Sequence, residues 1–294
     1  MFEIVVLSGK GGTGKTTLTA AFAQLAQPAV ICDLDVDAPD LHMLLKPEIL
    51  RTESFQSGYE AEIRPEDCTN CGTCAEMCRY DAVIPGDDAP VIDPMRCEGC
   101  KVCVTFCPAD AIDWRLRTCG EWYHSNTRFG RLVHAQLYPA QENSGRLVAL
   151  LREQAKELAR QKQISLILSD GPPGIGCPVI SSVSGASFAV IVTEPTPSGR
   201  HDLARIVDLC AHFKVPAGVI VNKHDLSPAR TAEIVADCEA KGLFLLGQVP
   251  FDPEVTDAMV AGQTIIEHSR GSLAQRVRSI WDTIARHIEN ARAA

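Results

Sequence analysis

Residues 2–17 read Phe2-Glu3-Ile4-Val5-Val6-Leu7-Ser8-Gly9-Lys10-Gly11-Gly12-Thr13-Gly14-Lys15-Thr16-Thr17. Phe2 to Leu7 is a short apolar run of the buried-strand kind. After the glycines, Leu18, Ala21, Phe22 and Leu25 recur at helical spacing. Between strand and helix, Gly9 to Thr16 fits G-x-x-x-x-G-K-[ST], a pattern that carries meaning only in this context. Glycines let backbone N–H groups wrap phosphates, Lys15 brings a positive charge to the β and γ oxygens, and Thr16 offers a hydroxyl to magnesium at the positive end of the helix. Gly9, Lys10, Gly11, Gly12, Thr13, Gly14, Lys15, Thr16 and Thr17 are therefore the expected nucleotide-binding residues of this loop.

Working outward, strands are expected at 29–34, 164–169, 188–193, 217–222 and 243–249, and helices at 144–161, 198–213 and 228–241. Strands alternating with helices predict an α/β fold built on a doubly wound parallel sheet. Near the C-terminus, Leu273, Val277, Trp281, Ile284 and Ile288 keep helical spacing. That segment reads as a packing helix, with a membrane-targeting amphipathic helix as the alternative.

The pattern breaks between about 58 and 114, where Cys68-x2-Cys71-x2-Cys74-x3-Cys78 is followed by Cys97-x2-Cys100-x2-Cys103-x3-Cys107-Pro108. These are two copies of the bacterial ferredoxin run, in which three cysteines of each copy hold one 4Fe-4S cluster and the fourth crosses to the other. One cluster is expected on Cys68, Cys71, Cys74 and Cys107, the other on Cys97, Cys100, Cys103 and Cys78. Zinc competes for paired C-x2-C groups, but the third cysteine, the fourth at x3 and the trailing proline favour iron and sulfide. Of the remaining cysteines, Cys32, Cys119, Cys210 and Cys238 are expected as buried thiols, and Cys177 as the start of a helix.

Composition narrows the partners. The chain has 294 residues, 46% of them hydrophobic, and a net charge of −9. An acidic chain has no general affinity for nucleic acid or anionic lipid. No apolar run reaches the length of a membrane span. The N-terminus enters a strand directly, without the charged region and cleavage site of a secretory signal, so a cytoplasmic protein is expected. Thirteen cysteines in that compartment point to metal ligation rather than disulfides.

Lys10, a second lysine inside the phosphate loop, makes that loop resemble the deviant Walker A of the MinD, Mrp and nitrogenase iron protein group. The resemblance implies a homodimer closed around ATP, with Lys10 reaching the partner's nucleotide. Asp33-Leu34-Asp35-Val36-Asp37-Ala38-Pro39-Asp40 follows the second strand, where the group has its switch I aspartates. Asp35 is then implied to orient the attacking water with Asp33 as its support, while Asp37 and Asp40 read as solvated or capping carboxylates. Asp170-Gly171-Pro172-Pro173-Gly174 looks like a Walker B and switch II segment, with Asp170 holding magnesium through water and the amides of Gly171 and Gly174 sensing the γ-phosphate. Asn222 stands where relatives read the base, followed by Lys223. Asn222-Lys223-His224-Asp225 also fits N-K-x-D, the guanine-reading pattern, so ATP and GTP both stay open with ATP favoured. Glu142-Asn143-Ser144-Gly145 resembles the helix start of group members with an inserted ferredoxin.

The chain is thus identified as similar to MinD/Mrp-type P-loop ATPases with an inserted two-cluster ferredoxin: ATPase residues 1–57 and 115–294, ferredoxin residues 58–114. The expected cofactors are two 4Fe-4S clusters, ATP and Mg2+. The expected activity is ATP hydrolysis coupled through dimer switching to electron transfer toward a redox partner protein. The alternatives are an assembly or maturation factor for a cluster or metal centre acting on a client protein, and a MinD-like positioning switch whose clusters are structural or sensing.

Overall fold

The computed structural model describes residues 1–139, 141 and 143–293. They form two compact units: Met1–Glu53 with Trp122–Gln136 and Ser144–Ala294, and Ser54–Glu121 with Leu137–Asn143. Glu142, part of the motif compared with a helix start, lies outside the described residues.

In chain order the strands are β1 (Phe2–Ser8), β2 (Val30–Asp33), β3 (Glu48–Ile63), β4 (Val83–Ile84), β5 (Val91–Ile92), β6 (Ile112–Thr127), β7 (Gly130–Leu137), β8 (Leu166–Pro173), β9 (Phe188–Thr193), β10 (Ala217–Asn222) and β11 (Phe244–Val249). The helices are α1 (Lys15–Leu25), α2 (Leu41–Leu45), α3 (Thr73–Met77), α4 (Val102–Phe106), α5 (Ser144–Lys162), α6 (Cys177–Val183), α7 (Pro197–His212), α8 (Pro228–Ala240), α9 (Glu254–Val260), α10 (Ile265–His268) and α11 (Ser272–Ala293). The main sheet runs β11-β10-β9-β1-β8-β2-β7-β6-β3. From β11 to β7 every pairing is parallel. The two-residue link Arg128-Phe129 then makes β6 and β7 an antiparallel pair, since a parallel pair needs a crossover.

All seven residues of β1 are buried. A strand covered on both faces must be apolar on both, which is why 2–7 shows no alternation. Ile4 and Val6 join Ile31, Leu168, Phe188, Val190 and Ile220 in a core closed by α1 and α11. Val5 and Leu7 point the other way, into a core with Ala189, Ile191, Val219 and Val221 under α6, α7 and α8. Leu273, Val277, Trp281, Ile284 and Ile288 of α11 are all in the first core, so the packing reading of that segment holds. Glu3, the charged residue of β1, is buried against Arg152, which donates to it at 2.6 and 2.8 Å. No helix among the described residues is long and apolar enough to cross a membrane.

The second unit repeats itself. α3 and α4 each follow a residue with left-handed backbone, Gly72 (φ 78) and Lys101 (φ 67). β4 pairs antiparallel with β5. Ala61, Ile63, Ala89 and Ile112 make its small core, packed against cysteines of both runs.

Candidate functional site

The phosphate loop lies at the C-terminal end of β1, where open α/β sheets bind ligands. It borders a cleft of about 630 Å³ lined also by Asp35, Pro173, Asn222, Lys223 and the segment Pro250-Phe251-Asp252. Gly14 has φ +87, and a side chain there would collide with the Asn222 amide. Asn222 in turn donates from Nδ2 to the Thr13 carbonyl at 2.7 Å, so the residue expected to read a base braces the loop. Lys223 Nζ donates to the Gly12 carbonyl at 2.9 Å.

Behind the loop, Lys15 is buried among carboxylates. Its Nζ lies 2.9 Å from Asp170 and 3.8 Å from Asp35. Thr16 Oγ1 donates to Asp170 Oδ2 at 2.7 Å, and Thr19 Oγ1 to Asp170 Oδ1 at 2.8 Å. Asp33 accepts from the Asp35 backbone N–H at 3.1 Å. Burial, reinforced by the charge on Asp170, raises Asp33 well above the usual carboxylate range despite Lys15. Burial likewise lifts Asp35 to about 6, against the pull of Lys15. One cation among three carboxylates leaves excess negative charge in a poorly solvated place, which is costly. Among the described residues, the second oxygen of Asp33 and the Thr13 hydroxyl are buried without a hydrogen-bond partner. This donor set fits a magnesium-bound nucleotide: a hard cation takes carboxylate and hydroxyl oxygens, directly or through water, and supplies the missing positive charge.

Lys10 turns to its own chain, paired with Glu194 and 3.4 Å from Ser198 Oγ. Glu194 also takes Lys223 Nζ at 3.2 Å. Burial works to raise Glu194, but these two lysines hold it below its ordinary value. The Gly174 N–H donates to the Ser8 carbonyl at 2.9 Å. Asp225 accepts from the Phe251 N–H at 2.7 Å. Two participants escaped the sequence reading. Thr19 sits three residues beyond Thr16, hence on the same helix face, a spacing that could have revealed it. Glu194 follows the end of β9 directly, where the ligand-binding edge of the sheet was the available signal.

In the second unit the eight cysteines of the two runs divide between two small cavities. One is lined by Cys68, Cys71, Cys74 and Cys107, the other by Cys78, Cys97, Cys100 and Cys103. Each therefore combines three thiols of one run with the last of the other. Backbone N–H groups point at sulfur in matching pairs: Asn70 to Cys68 and Gly99 to Cys97, both at 3.4 Å, and Ala82 to Cys78 at 3.4 Å and Ala111 to Cys107 at 3.3 Å. Thiolates bound to iron accept such bonds, so the cradle suits the cluster chemistry. Among the described residues, no three His, Cys, Asp or Glu side chains converge as ligands of a single ion. Cys32, Cys119, Cys210 and Cys238 are buried, and Cys177 is exposed at the start of α6.

Residues 4–265 match the family model described as the CobQ/CobB/MinD/ParA nucleotide binding domain. The chain is 28% identical over 293 residues to an uncharacterised protein of Methanocaldococcus jannaschii, covering 98% of each. It is 23% identical to an iron-sulfur cluster carrier protein of Pyrococcus abyssi, covering 98% of this chain and 87% of the relative. The septum site-determining protein MinD of Pyrococcus horikoshii, solved with Mg-ADP, superposes with a TM-score of 0.61 at 17% identity, covering 99% of this chain and 98% of that one.

Proposed function

Because this chain belongs to the CobQ/CobB/MinD/ParA nucleotide-binding family, we propose that it is an ATP-driven iron-sulfur protein whose nucleotide state governs electron transfer through two 4Fe-4S clusters. It is a P-loop ATPase of the MinD/ParA class. The observation that carries the rest is the crosswise division of eight cysteines into two four-thiol cavities. Four thiols set around a void suit a polynuclear cluster, in which each iron takes one thiolate. We place this ferredoxin-like module at 58–114, between ATPase segments 1–57 and 115–294.

In the nucleotide cleft, the loop amides and Lys15 would hold the phosphates, and Thr16 with Asp170 would hold magnesium, which supplies positive charge to the phosphate oxygens. Asp35 orients the attacking water, and Asp33 fixes it through the Asp35 N–H. With one oxygen of Asp225 engaged by the Phe251 N–H, the aspartate that the N-K-x-D reading of guanine depends on is drawn toward the backbone, which favours ATP. Lys10 would exchange Glu194 for the nucleotide of a second copy, giving an ATP-closed homodimer. β3 begins in the ATPase unit and ends in the cluster unit, so α2 and the start of β3 separate the switch I aspartates from the module.

The similarity to an iron-sulfur cluster carrier protein favours a second reading, in which a cluster is cargo for a client protein. Anaerobic reconstitution followed by incubation with an apo-acceptor protein and chelator separates the two. A resident electron carrier keeps both clusters, about eight irons per chain by the two-cubane stoichiometry. Release of a cluster on ATP addition would replace electron transfer with the carrier reading.

A further inference from the structure

The two halves of the cluster unit are built on one plan but charged differently. Cys68 follows Glu66 and Asp67, and Glu76 stands between Cys74 and Cys78; the corresponding stretch of the second half carries Arg96 before Cys97 and Thr105 after Cys103. Cys78 of the second cavity is followed by Arg79, whereas Cys107 of the first is followed by Pro108. The sharpest difference is at the residue that opens each short helix. In the first half it is Gly72, φ 78; in the second it is Lys101, φ 67. A left-handed backbone suits glycine and costs a side-chain-bearing residue about 1 kcal/mol, so lysine is the unexpected occupant.

Lys101 lines the second cavity, and its Nζ lies over the Trp114 ring at 4.7 Å. Trp114 is itself fixed, stacked on Tyr59 at 3.7 Å and donating from Nε1 to the Gly99 carbonyl at 3.1 Å. This stack holds the ammonium beside the segment that carries Cys97 and Cys100. Arg117 adds a second cation by donating to the carbonyl of Cys97. Opposing them are Glu98, exposed at the cavity rim, and Glu60, 3.5 Å from Arg117. Among the described residues, the first cavity has no charged side chain in its lining. Its own aid is the Thr73 hydroxyl, 3.4 Å from Cys71 Sγ, a neutral dipole.

Reducing a cluster adds negative charge, so a nearby cation favours the reduced form and raises the potential, while carboxylates lower it. Resting on the two-cluster reading above, we propose that the clusters are unequal. The one on Cys78, Cys97, Cys100 and Cys103 has the higher reduction potential, with Lys101 as a residue that sets it, so an electron entering the module settles there.

The repeat supplies its own test. Full-length protein is reconstituted anaerobically, assayed for iron and sulfide, and titrated potentiometrically with EPR detection of the reduced clusters. Wild type should give two resolved one-electron steps. Lys101→Gln should lower the upper step and leave the lower one in place. Gly72→Lys places the same cation at the matching position of the first half; a Cβ there meets nothing within 4 Å, and Lys101 adopts the same backbone. This variant should raise the lower step alone. Two clusters titrating together in wild type, or a Lys101→Gln shift confined to the lower step, would overturn the inference while leaving the two-cluster reading intact. Protein that binds zinc, or no iron and sulfide, would overturn both.

Discussion

Asp35 occupies a position where function and stability conflict. Its carboxyl, lifted by burial to about 6, has an ordinary value near 3.8. The folded state thus binds a proton that the unfolded chain has released, and stability falls as pH rises through roughly 4 to 6. Asp35→Asn removes the group that must ionise. In nucleotide-free protein it should raise Tm at pH 7.5, the gain vanishing near pH 4, while hydrolysis is lost; thermal melts across that range, paired with phosphate release, check both arms. A gain of the same size at pH 4 would mean that ionisation is not its source. Gly14→Ala probes the loop. With φ +87 and Asn222 in the way, the variant should lose nucleotide binding by calorimetry while far-UV circular dichroism stays native.

At the scale of elements, α11 closes the core over one face of the sheet. Ile284 is fully buried there. Truncation to alanine removes three methylene-sized groups and leaves a cavity, so Ile284→Ala should cost about 2–5 kcal/mol in urea unfolding. The elements found from sequence include those whose burial writes a plain pattern: β1, β9 and β10 as largely apolar runs, α1, α5, α7, α8 and α11 as apolar stripes. β3 and β6 went unread for the opposite reason. Glu48–Ile63 has an exposed first half with Glu48, Arg51 and Glu53, and neither apolar run nor strict alternation marks it. Its strand character comes from pairing within the sheet, which only the folded chain reveals. The short helices α2, α9 and α10 offer too few turns for a stripe. In the site, motif residues were legible because phosphate and cluster chemistry fix residue type and spacing. Glu194 and Thr19 belong to no such motif, and Lys10 was legible only by resemblance, which did not reveal its pairing with Glu194.

The whole molecule joins two chemistries in one chain, and the two should be separable. Cys71 and Cys100 line different cavities. Cys71→Ser or Cys100→Ser should each halve the iron and sulfide bound while ATP affinity stays within a factor of two to three, the usual scatter of a distant substitution, about 0.5 kcal/mol. Loss of ATP binding in either variant would show that the two units do not fold independently. The proposed control of the clusters by the nucleotide goes further. Its most direct measurement follows the reoxidation of anaerobically reduced protein by a small-molecule acceptor with ATP, with ADP, and in Lys15→Ala protein. ATP and ADP should give different rates in wild type and the same rate in Lys15→Ala; identical rates in wild type would mean that nucleotide state does not govern the clusters.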